Sequence, residues 1–310
     1  MSAGRILVTG ASGFIGSRAL KPLCRRGFDV HATARDIARI PVLPGVATHG
    51  ADLRDEAAAA RLLETVRPTH LLHFAWTVEH GSFWSSHANL DWLATTLSLL
   101  RAFARAGGRR FVGAGTCAEY APGETPRDEV ASPLDPATLY GAAKASAFLT
   151  GRALAAQENV SFAWGRVFHL FGAGEAPARL VPSLLKAHRD GEAFDCGPAD
   201  QPFDLLDVDS VGDAFAQLAA SESTGAVNIG SGRVTSLGEL SEMLAKLAKS
   251  EEVRGKGREG VVRFGARPPG PRLIPDVDRL RSEVGWRSPF TLEEGLRRLA
   301  ATSGTSGPAR

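Results

Sequence analysis

A chain of 310 residues, 44% hydrophobic and 23% charged, can bury a large core and has a globular composition, which excludes disordered and fibrous classes. With 36 basic and 34 acidic residues the formal charge is only +2, so no long-range field draws the protein to nucleic acid or an anionic membrane. The three cysteines, Cys24, Cys117 and Cys196, lie far apart and offer neither a disulfide framework nor a metal-ligand spacing, so a reducing, cytoplasmic setting without a metal is expected.

In chain order, short apolar runs alternate with Ala/Leu-rich helical stretches. Strands are predicted at Arg5 to Thr9, Asp29 to Thr33, His70 to Phe74, Arg110 to Ala114 and Ser161 to Val167. Helices are predicted at Ile15 to Arg26, Glu56 to Val66, Leu90 to Ala106 and Tyr140 to Gln157. Strands apolar throughout and separated by helices imply a parallel sheet covered on both faces, an α/β doubly wound architecture of Rossmann type. Its ligand crevice lies at the carboxyl ends of the strands. The first strand at Arg5 leaves no room for a signal peptide, and no apolar run approaches the roughly 20 residues of a membrane span.

After Phe171 the texture changes. Gly172 to Pro182 reads as a loop, Leu180 to Asp190 and Val211 to Ala220 as helices, Phe203 to Val208 as a strand, and Ser236 to Lys249 as an amphipathic stretch. Arg267 to Pro275 is rich in Pro and Gly, and Thr302 to Arg310 is Gly/Ser-rich and expected to fray. The expected division is a nucleotide-binding domain over 1–170, with late elements from about 203–222, and a smaller interleaved C-terminal substrate lobe over 171–310.

Val8-Thr9-Gly10-Ala11-Ser12-Gly13-Phe14-Ile15-Gly16 follows the first strand and opens the first helix. Gly10 permits the tight turn, Gly13 lets the backbone approach a pyrophosphate, and Gly16 lets helix and strand pack closely. The helix N-terminus then offers amide donors and a positive dipole end to that anion. At the end of the second strand stands Ala34, followed by Arg35, where an NAD binder usually carries a carboxylate. A guanidinium pairs with a 2′-phosphate that a carboxylate would repel, so NADP(H) is expected over NAD(H). A merely solvated Arg35, with Asp36 reaching a ribose instead, is the alternative. Asp52, after the short third strand, is placed to accept from an adenine amino group with Leu53 against the ring; taken alone, it reads as a helix cap.

Tyr140-Gly141-Ala142-Ala143-Lys144 opens a helix, so the phenol and the ammonium lie one turn apart on one face. A nearby ammonium favours the phenolate and brings a weak acid toward neutral pH. Thr116, directly after the fifth strand, offers a hydroxyl at the carboxyl edge of the sheet. Tyr120 reads either as a pocket-lining residue or as packing. Cys117 has no histidine partner and is not read as a nucleophile.

Together these segments resemble the extended short-chain dehydrogenase/reductase family, which includes nucleotide-sugar epimerases, dehydratases and 4-ketoreductases. The resemblance extends through His73-Phe74-Ala75-Trp76, Arg166 to Gly172, Asp204 to Val211, Val284-Gly285-Trp286 and Leu292 to Leu296. It implies that Tyr140 exchanges the proton, that Lys144 tunes it and binds the cofactor ribose, and that Thr116 orients the substrate. Gly10, Ser12, Gly13, Phe14, Ile15 and Gly16 would hold the pyrophosphate, and Ala75 and Thr77 the middle of the cofactor. Val167 and His169 would lie at its nicotinamide end, His169 also facing substrate. Family members are frequently dimers through helices matching Leu90 to Ala106 and Tyr140 to Gln157, so a homodimer is expected.

Three departures from the family pattern matter. His169 stands where asparagine is frequent. Phe203 stands where arginine often meets substrate phosphates, which leaves Arg179, Arg267 and Arg272 as candidate substrate cations. Cys117 and Ala118 stand where dehydratases carry an acidic pair, with Glu119 one step beyond. The expected activity is NADPH-dependent reduction of a nucleotide-linked 4-keto-6-deoxyhexose. The alternatives are a nucleotide-sugar epimerase, a reductase of a non-nucleotide ketone, or a cofactor sensor without turnover.

Overall fold

The structure, a computed structural model, describes residues 3–79, 81–249 and 262–303. Its first half runs β1 (Arg5–Thr9), α1 (Gly16–Arg25), β2 (Asp29–Ala34), β3 (Val46–Gly50), α2 (Glu56–Val66), β4 (His70–His73), α3 (Ala88–Arg105), β5 (Arg110–Thr116), α4 (Leu139–Gln157) and β6 (Ser161–Val167). The second half holds β7 (His169–Phe171), α5 (Leu180–Asp190), β8 (Phe194–Asp195), β9 (Pro202–Asp207), α6 (Val208–Ala220), β10 (Gly225–Ile229), β11 (Val234–Ser236), α7 (Leu237–Lys249), β12 (Val262–Arg263), α8 (Asp278–Ser282) and α9 (Leu292–Ser303).

The main sheet is parallel, in the order β10-β6-β5-β4-β1-β2-β3. That is the doubly wound order with one strand added beyond β6, and its direction of winding reverses between β1 and β4. Both faces are buried. Ile6 and Val8 point into one apolar cluster with Leu20, Leu72 and Phe215, while Leu7 points into the other with Leu71, Phe103, Phe111 and Trp164. Alternation along a single strand thus feeds two cores, which is why β1 reads as continuously apolar. A third cluster, built from Phe171, Val181, Leu184, Leu240, Leu244 and Leu296, forms the core of the C-terminal elements.

One late element goes elsewhere than expected. The strand at Phe203 pairs with β7 in parallel and with β11 antiparallel, in a separate three-stranded sheet. The physical reason is Asp204, fully buried, whose carboxylate accepts from the amides of Ser231 (2.7 Å), Gly232 (2.6 Å) and Arg233 (3.2 Å). This pins the turn after β10 and lays β11 beside β9. What returns to the main sheet is α6, packed on α1, together with β10, an apolar run the periodicity did not single out.

No helix among the described residues is long and apolar enough to cross a membrane. The stretch expected to fray lies, from residue 304 onward, outside the described residues.

Candidate active site

The glycine loop crosses the carboxyl end of β1. Gly10 has φ +65°, and a Cβ there would sit 2.7 Å from the Ala75 amide nitrogen; one at Gly16 would sit 2.3 Å from the Gly10 carbonyl oxygen. Only hydrogens fit at these two points, so α1 starts close against the turn. Its N-terminal residue Ile15 makes no side-chain cap, and its first turn carries no acid. Uncapped amides at the end of a ten-residue helix suit an anionic group such as a pyrophosphate.

At the corner expected to hold the adenosine end, side chains compete for one another. Asp36 caps the short turn Ile37–Arg39, accepting from the Ala38 amide at 3.0 Å, so its carboxylate is engaged locally. Asp52 accepts from Arg54 through both oxygens (Nε 3.1 Å, Nη2 2.8 Å). That pairing, with a smaller contribution from the charge of Arg35, lowers Asp52 to about 2. The cap of α2 is Asp55, not Asp52. Arg54 was not singled out in the sequence; the signal was its position two residues after Asp52. Leu53 is buried against α2 and α3.

Across the switch point, Thr9, His73 and Thr96 form a buried chain. The Thr9 hydroxyl bonds His73 Nδ1 at 2.8 Å, and His73 Nε2 bonds Thr96 Oγ1 at 3.0 Å. Thr96 donates to the Trp92 carbonyl and Thr9 accepts from the Ala75 amide, so the proton rests on Nε2 and Nδ1 accepts. Burial, aided by the charge of Lys144, pushes His73 down to about 3 and keeps the ring neutral. The chain ties β1, β4 and α3 together and sets the path of Ala75 to Thr77. Thr77 Oγ1 in turn accepts from the Trp92 indole at 2.8 Å.

Thr116 ends β5, and its hydroxyl accepts from the Ala118 amide at 3.2 Å. α4 is capped by Thr138, which accepts from the Gly141 amide at 3.1 Å. A Cβ at Gly141 would lie 2.3 Å from the Ala118 carbonyl oxygen, so this glycine lets the start of α4 close onto the segment after β5. The result sets the Thr116 hydroxyl near the Tyr140 phenol. Burial raises the phenol above its ordinary range, and the neighbouring Thr116 hydroxyl and the charge of Arg179 oppose that rise.

Lys144 makes contacts that the sequence did not indicate. Its ammonium donates to the Ala114 carbonyl at 2.7 Å and lies 3.8 Å from the centre of the Trp76 ring. Burial lowers it to about 7, against the pull of the Glu119 charge. The groups that favour the Tyr140 phenolate here are Thr116 and Arg179, whereas the expected lysine is directed to a carbonyl and an indole. Three aromatic rings absent from the expected set, Trp76, Phe83 and Trp84, meet Tyr140 edge-on at 6.5, 4.9 and 5.7 Å between centroids.

Two further expectations are corrected. Tyr120 is 1% exposed; it donates to Asn228 Oδ1 and accepts from Arg166, both at 2.8 Å. It belongs to a buried polar network and does not line a pocket. Glu119, fully buried in the same network, accepts from the Thr116 amide, the Trp164 indole and Arg166 Nε (2.9, 2.9 and 2.7 Å), which removes it as a stand-in for a dehydratase acid. Cys117 is buried, and burial pushes its thiol up to about 12, against nucleophilic use.

The candidate substrate cations separate. Arg272 pairs with Glu124. Arg267 lies over the Phe194 ring at 5.9 Å, on the β8–β12 side. Arg179 stands just before α5 without a side-chain cap, lies over Phe83 at 5.8 Å, and alone of the three acts on Tyr140. Val167 is buried at the end of β6. His169 meets Phe203 edge-on at 5.1 Å; burial pushes it down to about 4, and its buried Nδ1 has no hydrogen-bond partner.

A switch-point glycine turn beside a Thr-Tyr-Lys set defines a dinucleotide-dependent enzyme of extended short-chain dehydrogenase/reductase type. The chain belongs to the NAD dependent epimerase/dehydratase family, whose model matches residues 6–230. It is 26% identical over 321 residues to dTDP-glucose 4,6-dehydratase of Xanthomonas campestris pv. campestris strain B100, covering 94% of this chain and 90% of that protein. It is 28% identical over 354 residues to UDP-glucose 4-epimerase of Azospirillum brasilense, covering 98% and 96%. The solved structure of MoeE5 in complex with UDP-glucuronic acid and NAD superposes with a TM-score of 0.80 at 26% identity, covering 97% of this chain and 99% of that one.

Proposed function

We propose that this enzyme reduces a keto group on a nucleotide-linked sugar, a 4-keto-6-deoxyhexose or a close relative, with NADPH. The observation that carries the choice of cofactor is the corner at the end of β2. Ala34 is buried there, Asp36 is drawn into a cap and Asp52 is paired with Arg54, which leaves the exposed Arg35 as the guanidinium we assign to a 2′-phosphate. A guanidinium at this corner, with both neighbouring carboxylates engaged, favours the phosphorylated dinucleotide.

When bound, the cofactor supplies the hydride. Tyr140 gives its phenolic proton to the substrate oxygen, with Thr116 holding phenol and oxygen in line. Lys144, held by Ala114 and Trp76, contributes positive charge beneath the cofactor segment and serves as the ribose ligand. Arg179 supplies positive charge toward the phosphates in place of the arginine replaced by Phe203. This reading takes 1–170 as the nucleotide domain and 171–310 as the substrate lobe, in a cytoplasmic homodimer joined through α3 and α4, where Leu90 and Leu149 stand exposed.

A second reading, reversible epimerisation on retained NAD, is favoured by the relatives named as UDP-glucose 4-epimerases. Dehydration has less support, since Cys117 and Ala118 follow Thr116 and Glu119 is locked to Arg166. The test is to titrate NADPH and NADH separately, then follow loss of NADPH absorbance with a nucleotide-linked 4-keto-6-deoxyhexose. Stoichiometric consumption supports the reductase. Tight cofactor binding with sugar isomers formed and no net consumption replaces it with the epimerase.

A further inference from the structure

Three aromatic side chains, Trp76, Phe83 and Trp84, meet at the Tyr140 phenol ring, and one of them faces solvent. Phe83 is 5% exposed, whereas its neighbour Trp84 is 42% exposed although the two rings are only 4.3 Å apart. A large indole left open beside a proton-exchanging phenol forgoes the burial that its size would otherwise gain.

The position of this indole is fixed from two sides. The Tyr140 amide donates to the Trp84 carbonyl at 3.1 Å, so the segment carrying Trp84 is bonded to the first turn of α4. Asn89, 2% exposed, donates its side-chain amide to the carbonyls of Phe83 (2.7 Å) and Ser86 (2.8 Å) and accepts the Trp76 indole N–H at 2.8 Å. One buried amide therefore sets both halves of the aromatic wall. Arg179 lies over Phe83, so a cation adjoins the wall.

We propose that Trp84 is a specificity-determining residue that receives the apolar C–H face of the substrate's pyranose ring on its exposed indole, beside the oxygen that Tyr140 protonates. An aromatic face is electron-rich, and the axial C–H groups of a pyranose present a weakly positive, poorly hydrated face that matches it. Arg179, next along the wall, suits the phosphates that follow the sugar. Stacking at a pre-set ring orients the reacting carbon toward Tyr140 without a further hydrogen-bonding group. The inference rests on the nucleotide-sugar reading above.

The experiment is calorimetric titration of the NADPH-saturated protein with UDP-glucose, dTDP-glucose and UDP alone, for wild type, Trp84→Ala and Trp84→Phe. Near-ultraviolet circular dichroism and thermal unfolding check that the variants fold. The expected result is that Trp84→Ala weakens the nucleotide-glucose ligands roughly 5- to 10-fold, leaves UDP unchanged, and that Trp84→Phe restores most of the loss. If nucleotide-glucose and UDP both bind and their ratio is unaltered in Trp84→Ala, the stacking role is overturned while the nucleotide-sugar reading stands. If neither nucleotide-glucose binds the wild type, that reading falls and the inference with it.

Discussion

The Lys144 ammonium nitrogen lies 3.8 Å from the centre of the Trp76 ring. A cation over an indole face is stabilised by about 2 kcal/mol when desolvated, and the ring favours the charged form over the neutral amine. Burial works the other way and lowers Lys144 to about 7. Removing the ring leaves burial less opposed, so in Trp76→Leu the falling limb of kcat against pH is expected to move about one unit lower, with Trp76→Phe moving less. An unmoved limb would reduce Trp76 to packing.

The same depressed value makes a stability prediction. Between about 7 and the ordinary 10.5 the unfolded chain holds the Lys144 proton more firmly than the folded one. Its contribution to stability therefore rises with pH through that window and is least favourable below it. In urea unfolding, Lys144→Met is expected to flatten the pH dependence of stability between those values. A slope identical to wild type would contradict the assignment.

Tyr140→Phe removes only the phenolic oxygen from a ring that its aromatic neighbours already hold in place. NADPH binding should stay within about twofold of wild type while kcat drops on the order of 10²- to 10⁴-fold. Turnover at the wild-type rate would exclude Tyr140 as the proton donor. It would also reopen the possibility of a cofactor sensor without chemistry.

Cofactor choice is open to a charge reversal. In the double substitution Ala34→Asp with Arg35→Ala, a carboxylate replaces the guanidinium at the end of β2. The NADPH-to-NADH affinity ratio should fall roughly 10- to 100-fold, the size of one or two charge-assisted hydrogen bonds. Fluorescence titration with each cofactor measures it without any sugar substrate. An unaltered ratio would mean that Arg54 or another group reads the 2′-position.

Glu119 and Arg166 are both fully buried, 2.7 Å apart. Glu119→Ala strands an arginine in the core and is expected to cost about 3–5 kcal/mol, seen as a lower denaturation midpoint. The loss should be much the same with and without bound NADPH, because the pair supports the end of β5 and does not touch the cofactor loop. Normal stability with lost activity would instead move Glu119 into the reaction.

The sequence by itself determined the parallel sheet, the glycine turn over β1 and the placing of Tyr140 and Lys144 one helical turn apart on α4. Each of those depends on local periodicity, on a residue that alone fits a backbone conformation, or on a fixed spacing. The tertiary structure decided which way charged and aromatic groups turn. Lys144 goes to Ala114 and Trp76, Asp52 to Arg54, Arg272 to Glu124, and Tyr120 into the core with Asn228. The aromatic wall of Trp76, Phe83 and Trp84 likewise exists only because Asn89 joins two segments that no sequence period connects. Long-range partners of this kind are set by how strands and helices stack, so the elements are legible in the sequence while the side-chain contacts that complete the site are not.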